Sequence, residues 1–309
     1  MSATSVFGAS QVCPIDPLAK EVLSVIKTIS SIEELPVAHP QGTVLLTDLD
    51  DVAIHTAYDL GSRGWKNYIY KATDKCWPGI LSIYLARILP HILVESKINE
   101  VVATLKENGH PTAGLTAKKR NQWYSTEHLN VDQITIAQLK RAGFKIDDGL
   151  INVYPGLNSA EYYGGVFFCP YDLKGDYLID LLEKVSPSNR PKKVLFIDDR
   201  SGQVKSVAAA LQKLGIDHEC YHYKAVEEKE KRFSPVIANI QLLYLLMSEG
   251  KEIPSDEEAF IIAQKDTTRD ETYYLNAALE KAEELEKAGK LNEKQELKEE
   301  KLPATSVRV

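Results

Sequence analysis

Four aspartates stand in two pairs whose spacing could bring them to one point. Asp48 and Asp50 end the run Leu45-Leu46-Thr47-Asp48-Leu49-Asp50-Asp51-Val52, and Asp198-Asp199 end Val194-Leu195-Phe196-Ile197. On an extended backbone the side chains at i and i+2 point the same way, so Asp48 and Asp50 are expected to converge. Burying that much negative charge costs several kcal/mol per ion unless a cation accompanies it, so a hard divalent metal is the expected partner. All-oxygen donors with room for water and an anion suit Mg2+ better than zinc. A strand-end acid can instead cap the next helix, a reading kept open for Asp199, which precedes Ser201. Asp51 is expected to face solvent.

The elements that would carry these acids follow from periodicity. Thr43 to Thr47 is an apolar, β-leaning run after Gly42, and Lys193 to Ile197 repeats the pattern; both read as central parallel strands. Further strands are expected at Thr112 to Leu115, Gly165 to Cys169 and Glu219 to Tyr223. Helical patterns lie between them at Asn99 to Asn108, Gly175 to Val185 and Ser201 to Leu214, the first and last stopping at Gly109 and Gly215. Strands alternating with helices imply βαβ units and an α/β fold, a doubly wound parallel sheet whose ligands bind at the carboxyl ends of the strands, where both acidic pairs fall. Leu18, Val22, Val25, Ile26 and Ile29 are at helical spacing, and Ser31 with Glu33 and Glu34 starts another short element. Ile80 to Val94 reads as a buried helix, and Pro235 to Ser248 as a strongly apolar one. The aromatics Tyr58, Trp65, Tyr68, Tyr70 and Trp77 read as the core of a cap, and Lys118, Lys119 and Arg120 as a solvated face.

Composition sets limits. With 44% hydrophobic and 26% charged residues among 309, the chain can build a core without disulfides. Cys13, Cys76, Cys169 and Cys220 have neither zinc-site nor disulfide-framework spacing and read as buried thiols. No window is long and apolar enough for a transmembrane span, and Met1 to Gln11 lacks a secretory signal, so a soluble protein of the bacterial cytoplasm is expected. The net charge of −7 lies mainly beyond residue 250, where 15 acidic side chains face 10 basic ones, so no nucleic-acid footprint is expected.

In order along the chain, Asp48-x-Asp50-x-Val52, Thr116 after a strand, Lys174 near a helix start and the strand-end pair Asp198-Asp199 resemble the four motifs of the haloacid dehalogenase superfamily, over roughly residues 40 to 225. The resemblance implies a phosphatase with a helical cap inserted after the first motif. Asp48 would be the nucleophile that forms an aspartyl-phosphate, and Asp50 the general acid/base, which asks for an elevated pKa. Thr116 and Lys174 would bind the phosphoryl oxygens. Asp48, the backbone carbonyl of Asp50, Asp198 and Asp199 would hold Mg2+, Asp199 through water.

The segments Asp50 to Trp65 and Ile197 to Arg200 resemble more closely a haloacid-dehalogenase-like family of unknown function found mainly in intracellular bacteria such as Legionella. Seven glutamates between Lys281 and Glu300 near the C-terminus resemble the export signal of type IV secreted effectors. The resemblances imply a secreted effector, acting on a host phosphotyrosine protein as a protein tyrosine phosphatase, with peripheral membrane association through the C-terminal region as a further expectation. A small-metabolite phosphatase and a catalytically idle binding module are the rivals. The expected layout is an N-terminal helical segment at 1–40, a catalytic core at 41–225 with a cap insertion at 53–98 and a second insertion at 118–164, a helical extension at 226–270 and a charged tail at 271–309.

Overall fold

The computed structural model describes residues 26–73, 76–124 and 127–291. In chain order its strands are β1 (Ile26–Ile29), β2 (Thr43–Thr47), β3 (Ile54–Thr56), β4 (His91–Leu93), β5 (Thr112–Thr116), β6 (Asn121–Tyr124), β7 (Glu127–Asn130), β8 (Tyr162–Tyr163), β9 (Val166–Phe168), β10 (Lys193–Asp198) and β11 (Asp217–Tyr223). Seven form one sheet in the order β1-β11-β10-β2-β5-β9-β8. Every pairing in it is parallel except β8 with β9, as the sequence pattern requires of an α/β core.

Strand periodicity explains the layering. Leu45 and Leu46 are neighbours and must point to opposite faces. Leu46 joins Phe196, Phe167 and the helices Lys174–Glu183 and Ser201–Lys213 through Leu178 and Val207. On the other face, Leu45 joins Leu195, Ile197 and Tyr221 with Val102 and Leu105 of the helix Ile98–Glu107. Each buried Leu of this kind contributes roughly 1.5–3 kcal/mol. The Ser201–Lys213 helix stops where Gly215 takes the left-handed conformation (φ 67°), the stop its position in the sequence predicts.

The cap is composite. Helices Arg63–Ala72 and Cys76–Ile88 bury Trp65, Ile69, Leu81 and Leu85 in a cluster with Leu242, Leu245 and Leu246 of the helix Pro235–Met247 and Leu275, Ala278 and Leu285 of the helix Glu271–Lys287. Polar links reinforce the joint. Asn239 donates to Tyr68 Oη (3.1 Å) and to the Glu271 carbonyl (3.0 Å), and Gln241 accepts from the Leu60 N–H (3.0 Å).

Several expectations are corrected. Ile26–Ile29 is an edge strand beside β11, because pairing with a neighbouring strand outweighs a short helical pattern; the rest of the expected N-terminal helix lies outside the described residues. Ser31 and Glu34 do form a capping box for a single 3-10 turn. The helix expected through Val94 ends at Ile88. Pro90 lacks an N–H and disfavours a helical residue before it, and His91–Leu93 pairs antiparallel with β3. Cys76 is exposed, Cys169 and Cys220 are buried, and Cys13 lies outside the described residues. Of the cap aromatics, Trp65 is fully buried and Tyr58, Tyr68 and Trp77 pack against the same cluster, but Tyr70 is exposed. The largest correction concerns the charged tail, whose composition reads as a long solvated helix or a disordered segment. From Glu271 to Lys287 it is a packed helix with Tyr274, Leu275, Ala278, Ala282 and Leu285 buried, capped by Asp270, which accepts from the Tyr273 N–H (2.9 Å). The glutamate-rich segment expected to act as an export signal lies mostly at residues 292–309, outside the described residues. No helix among them is long and apolar enough to cross a membrane.

Candidate metal and phosphoryl site

The sheet order decides which acids meet. β2 lies between β10 and β5, and the pairing of Ile197 with Thr47 sets Asp48 beside the end of β10. The Asp48 N–H donates to the Ile197 carbonyl (2.8 Å), which fixes the first residue past the strand. As a result Asp48, Asp198 and Asp199 offer carboxylate oxygens that all lie within 4.8 Å of one another, and all three residues are buried.

Lys174 enters this cluster from the start of its helix. It is 1% exposed, and its Nζ lies 2.7 Å from Asp48 Oδ1 and 2.6 Å from Asp198 Oδ2. Its approach depends on the two helices that flank it. The Lys174 N–H donates to Gln203 Oε1 (2.9 Å) and the Gly175 N–H to Ser206 Oγ (3.1 Å). A Cβ on Gly175 would lie 2.2 Å from the Ser206 carbonyl oxygen, so only glycine lets the two helices close to this distance. Asp198 Oδ1 accepts from the Arg200 N–H (2.8 Å), and Asp199 is bonded by the Arg63 guanidinium from the cap.

Asp50 behaves differently. The chain leaves the extended conformation after Thr47; Asp50 bridges to Ile54 and Asp51 takes a left-handed conformation (φ 62°), so the i, i+2 convergence expected of an extended strand is not what forms. The Asp50 side chain pairs with Lys118 Nζ (3.0 Å) and stands outside the three-carboxylate cluster. Thr116, buried at the end of β5, accepts from the Lys118 N–H (3.3 Å). Lys118 is therefore not part of a solvated face. Arg120 is engaged as well, with Asp132 (2.7 Å), while Lys119 is more exposed. Asp51, expected in solvent, is half-buried.

Electrostatics follow from burial. Burial pushes the Asp48 carboxyl up to about 7, Lys174 opposing and Asp198 and Asp50 adding to the rise. Burial likewise pushes Asp199 up to about 8, with Asp48, Asp51 and Asp198 adding to it. Burial also works against the charged form of Asp50, but Lys118 and Lys66 overcome it and hold that carboxyl well below the usual range, the opposite of the elevated value expected of it. Among the described residues, Asp48, Asp50, Asp51, Asp198 and Asp199 together meet three cations in contact, Lys174, Arg63 and Lys118. This leaves the cluster short of positive charge. Its donors are all oxygen, so the residues fit a hard divalent cation such as magnesium.

Sequence reasoning missed Arg63, which has no spacing signal because it reaches the acids from a separate element. The position of Lys118 just after Thr116 put positive charge near the site, but its contact with Asp50 was not foreseen.

A model of the DUF2608 family, described as a protein of unknown function, matches residues 20–259. No curated protein and no solved structure matches the chain.

Proposed function

Because the chain belongs to the DUF2608 family, whose function is unknown, we propose its activity from the site itself: magnesium-dependent hydrolysis of phosphomonoesters through an aspartyl-phosphate on Asp48. The observation that carries this reading is the buried group of Asp48, Asp198 and Asp199 with one buried lysine bridging two of them. Asp48, Asp198 and Asp199 would hold the cation, whose chemistry is to shield the carboxylates and polarise the phosphoryl oxygens. Asp48 Oδ attacks phosphorus and the bond to the leaving oxygen breaks. Asp50 gives that oxygen a proton, then takes one from the water that cleaves the acyl phosphate and frees Asp48. Lys174 and Thr116 hold the transferring phosphoryl oxygens. For Asp50 to carry a proton, Lys118 has to leave it, and the incoming phosphate dianion is the anion that competes for Lys118.

As part of the same proposal, the substrate is a phosphotyrosine protein of a host and the protein a secreted effector. The support is the apolar wall beside Asp50, formed by Trp65, Leu85, Leu89 and Ile134, which suits a ring. The test is turnover of p-nitrophenyl phosphate by purified protein. EDTA abolishes it, and Asp48→Asn loses at least about a thousandfold in kcat while keeping its circular dichroism spectrum, as expected when a covalent nucleophile is removed. Undiminished turnover in Asp48→Asn overturns the mechanism. A matched panel of phosphotyrosine peptides, phosphoserine peptides and sugar phosphates decides the substrate class. Higher kcat/KM on the sugar phosphates returns the protein to the small-molecule phosphatases.

A further inference from the structure

A cavity of about 160 Å3 opens beside Asp50, between the cap helices Arg63–Ala72 and Cys76–Ile88 and the helix Val131–Ala142. Cavities of roughly 150 Å3 accept a benzene ring. On the hydrolase reading, the phosphoryl group sits at Asp48 and the leaving oxygen at Asp50, so this cavity receives the rest of the substrate.

Two cations line it, and they differ. Lys118 is already paired with Asp50. Lys66 is half-buried and makes no ion pair with any described carboxylate; its charge reaches Asp50 and Asp51 only through space. Lys66 lines the same cavity as Trp65, Leu85 and Leu89, and an anion on a ligand there would give it the partner that no described carboxylate supplies. A second observation points the same way. Trp65 Nε1, a donor on a side chain that lines the cavity, is buried and has no hydrogen-bond partner among the described residues. A purely hydrocarbon leaving group would use neither Lys66 nor this N–H.

We propose that Lys66 is a specificity residue: it binds a second anionic group, carried about one ring away from the phosphoryl group on the leaving portion of the substrate. The inference rests on the phosphohydrolase reading for its placement of the leaving group. The substrate class is a phosphomonoester whose alcohol or phenol part has its own carboxylate or phosphate. Lys118 passes from Asp50 to the phosphoryl group, and Lys66 reads the distal charge.

The experiment compares kcat/KM of the full-length protein, with magnesium, on phenyl phosphate and on 3- and 4-carboxyphenyl phosphate. The wild type prefers one of the carboxylated esters by about tenfold or more, the scale of one charge-assisted hydrogen bond. Lys66→Gln erases that preference and Lys66→Arg keeps most of it. Absence of any preference in the wild type, or an equal loss on all three esters in Lys66→Gln, overturns the proposal, the second result assigning Lys66 to the field around Asp50. Calorimetry of phenylphosphonate and the two carboxyphenylphosphonates with the Asp48→Asn protein separates the two readings. If no ester is hydrolysed by the wild type but a carboxylated phosphonate binds more tightly in a Lys66-dependent way, the hydrolase reading fails and the anion site stands. If esters are hydrolysed and the phosphonates bind alike, the anion site fails alone.

Discussion

At the scale of single residues, the decisive feature is that burial works in opposite senses on neighbouring aspartates. Asp48 and Asp199 are pushed up because the cations near them do not offset desolvation, whereas Asp50 is held down by Lys118 and Lys66. Two predictions follow from this contrast. Lys118→Ala removes the only cation in contact with Asp50 among the described residues, and it is expected to lower kcat on p-nitrophenyl phosphate by roughly 10–100-fold and to move the acidic limb of the pH–rate profile upward. An unchanged profile would return Lys118 to the surface role its sequence suggests. The second concerns stability. An acid raised in the folded state binds more protons there than when unfolded, so its protonation favours the fold and stability falls as pH rises toward the folded value. Between about pH 6.5 and 8 Asp48 and Asp199 are in that range, while His91 and His55, pushed down to about 4 and about 3 chiefly by burial, act with the opposite sign only at lower pH. The metal-free protein should therefore lose thermal stability across that window, and added magnesium should raise Tm most at its upper end. A Tm that is flat with pH and blind to magnesium would count against a cation site at these three aspartates.

The next scale is the element, where placement depends on how closely two helices can approach. Lys174 reaches both acids because Gly175 lets its helix meet Ser201–Lys213 at backbone distance. Gly175→Val puts carbon atoms where the Ser206 carbonyl already lies. A cost of at least ~1–3 kcal/mol in urea unfolding is expected, with weaker magnesium binding as Lys174 is displaced. Gly202→Ala is the control: a Cβ there meets nothing within 4 Å, and the added helix propensity should be neutral or mildly stabilising. If the two variants unfold at the same urea concentration, the close approach is not what holds Lys174. The sequence marked Lys174 as a residue near a helix start, and the helix begins there. It did not mark Ser206 or Gln203 as the groups that hold that start, since their contact is made across elements some 30 residues apart.

On the scale of the whole molecule, the cap is assembled from two distant parts of the chain. Residues 58–89 supply one side and residues 233–291 the other, joined by a single apolar cluster and by Asn239 and Gln241. Deleting the chain from Glu271 onward strips Leu275, Leu285 and Leu291 from that joint. At roughly 1.5–3 kcal/mol for each large side chain, the loss is comparable to the ~5–15 kcal/mol that holds a domain together. Such a truncation is expected to lower Tm sharply or to precipitate, and to lose turnover with the cap. A truncated protein with an unchanged Tm would show that the Glu271–Lys287 helix only rests on the surface. Solubility and differential scanning calorimetry of the two proteins, side by side, make the check.

What the sequence determined by itself is the part governed by local pattern. The apolar runs before Asp48 and Asp198 became β2 and β10 within a residue of their expected ends, because a strand buried on both faces has to be continuously apolar. Helix stops at glycine and the acids at the carboxyl ends of the strands were equally legible. Tertiary structure alone decided which carboxylates meet, since the distance between Asp48 and Asp198 is set by the lateral pairing of β2 with β10 and not by the spacing of either pair. It decided that Asp50 turns to Lys118, because the backbone bends where an extended strand was expected to continue. It also decided the fate of the glutamate-rich helix. A charged segment with five apolar positions on one face stays in solvent or packs according to whether a matching surface exists elsewhere, and here the Pro235–Met247 helix and the Arg63–Ala72 insertion provide one.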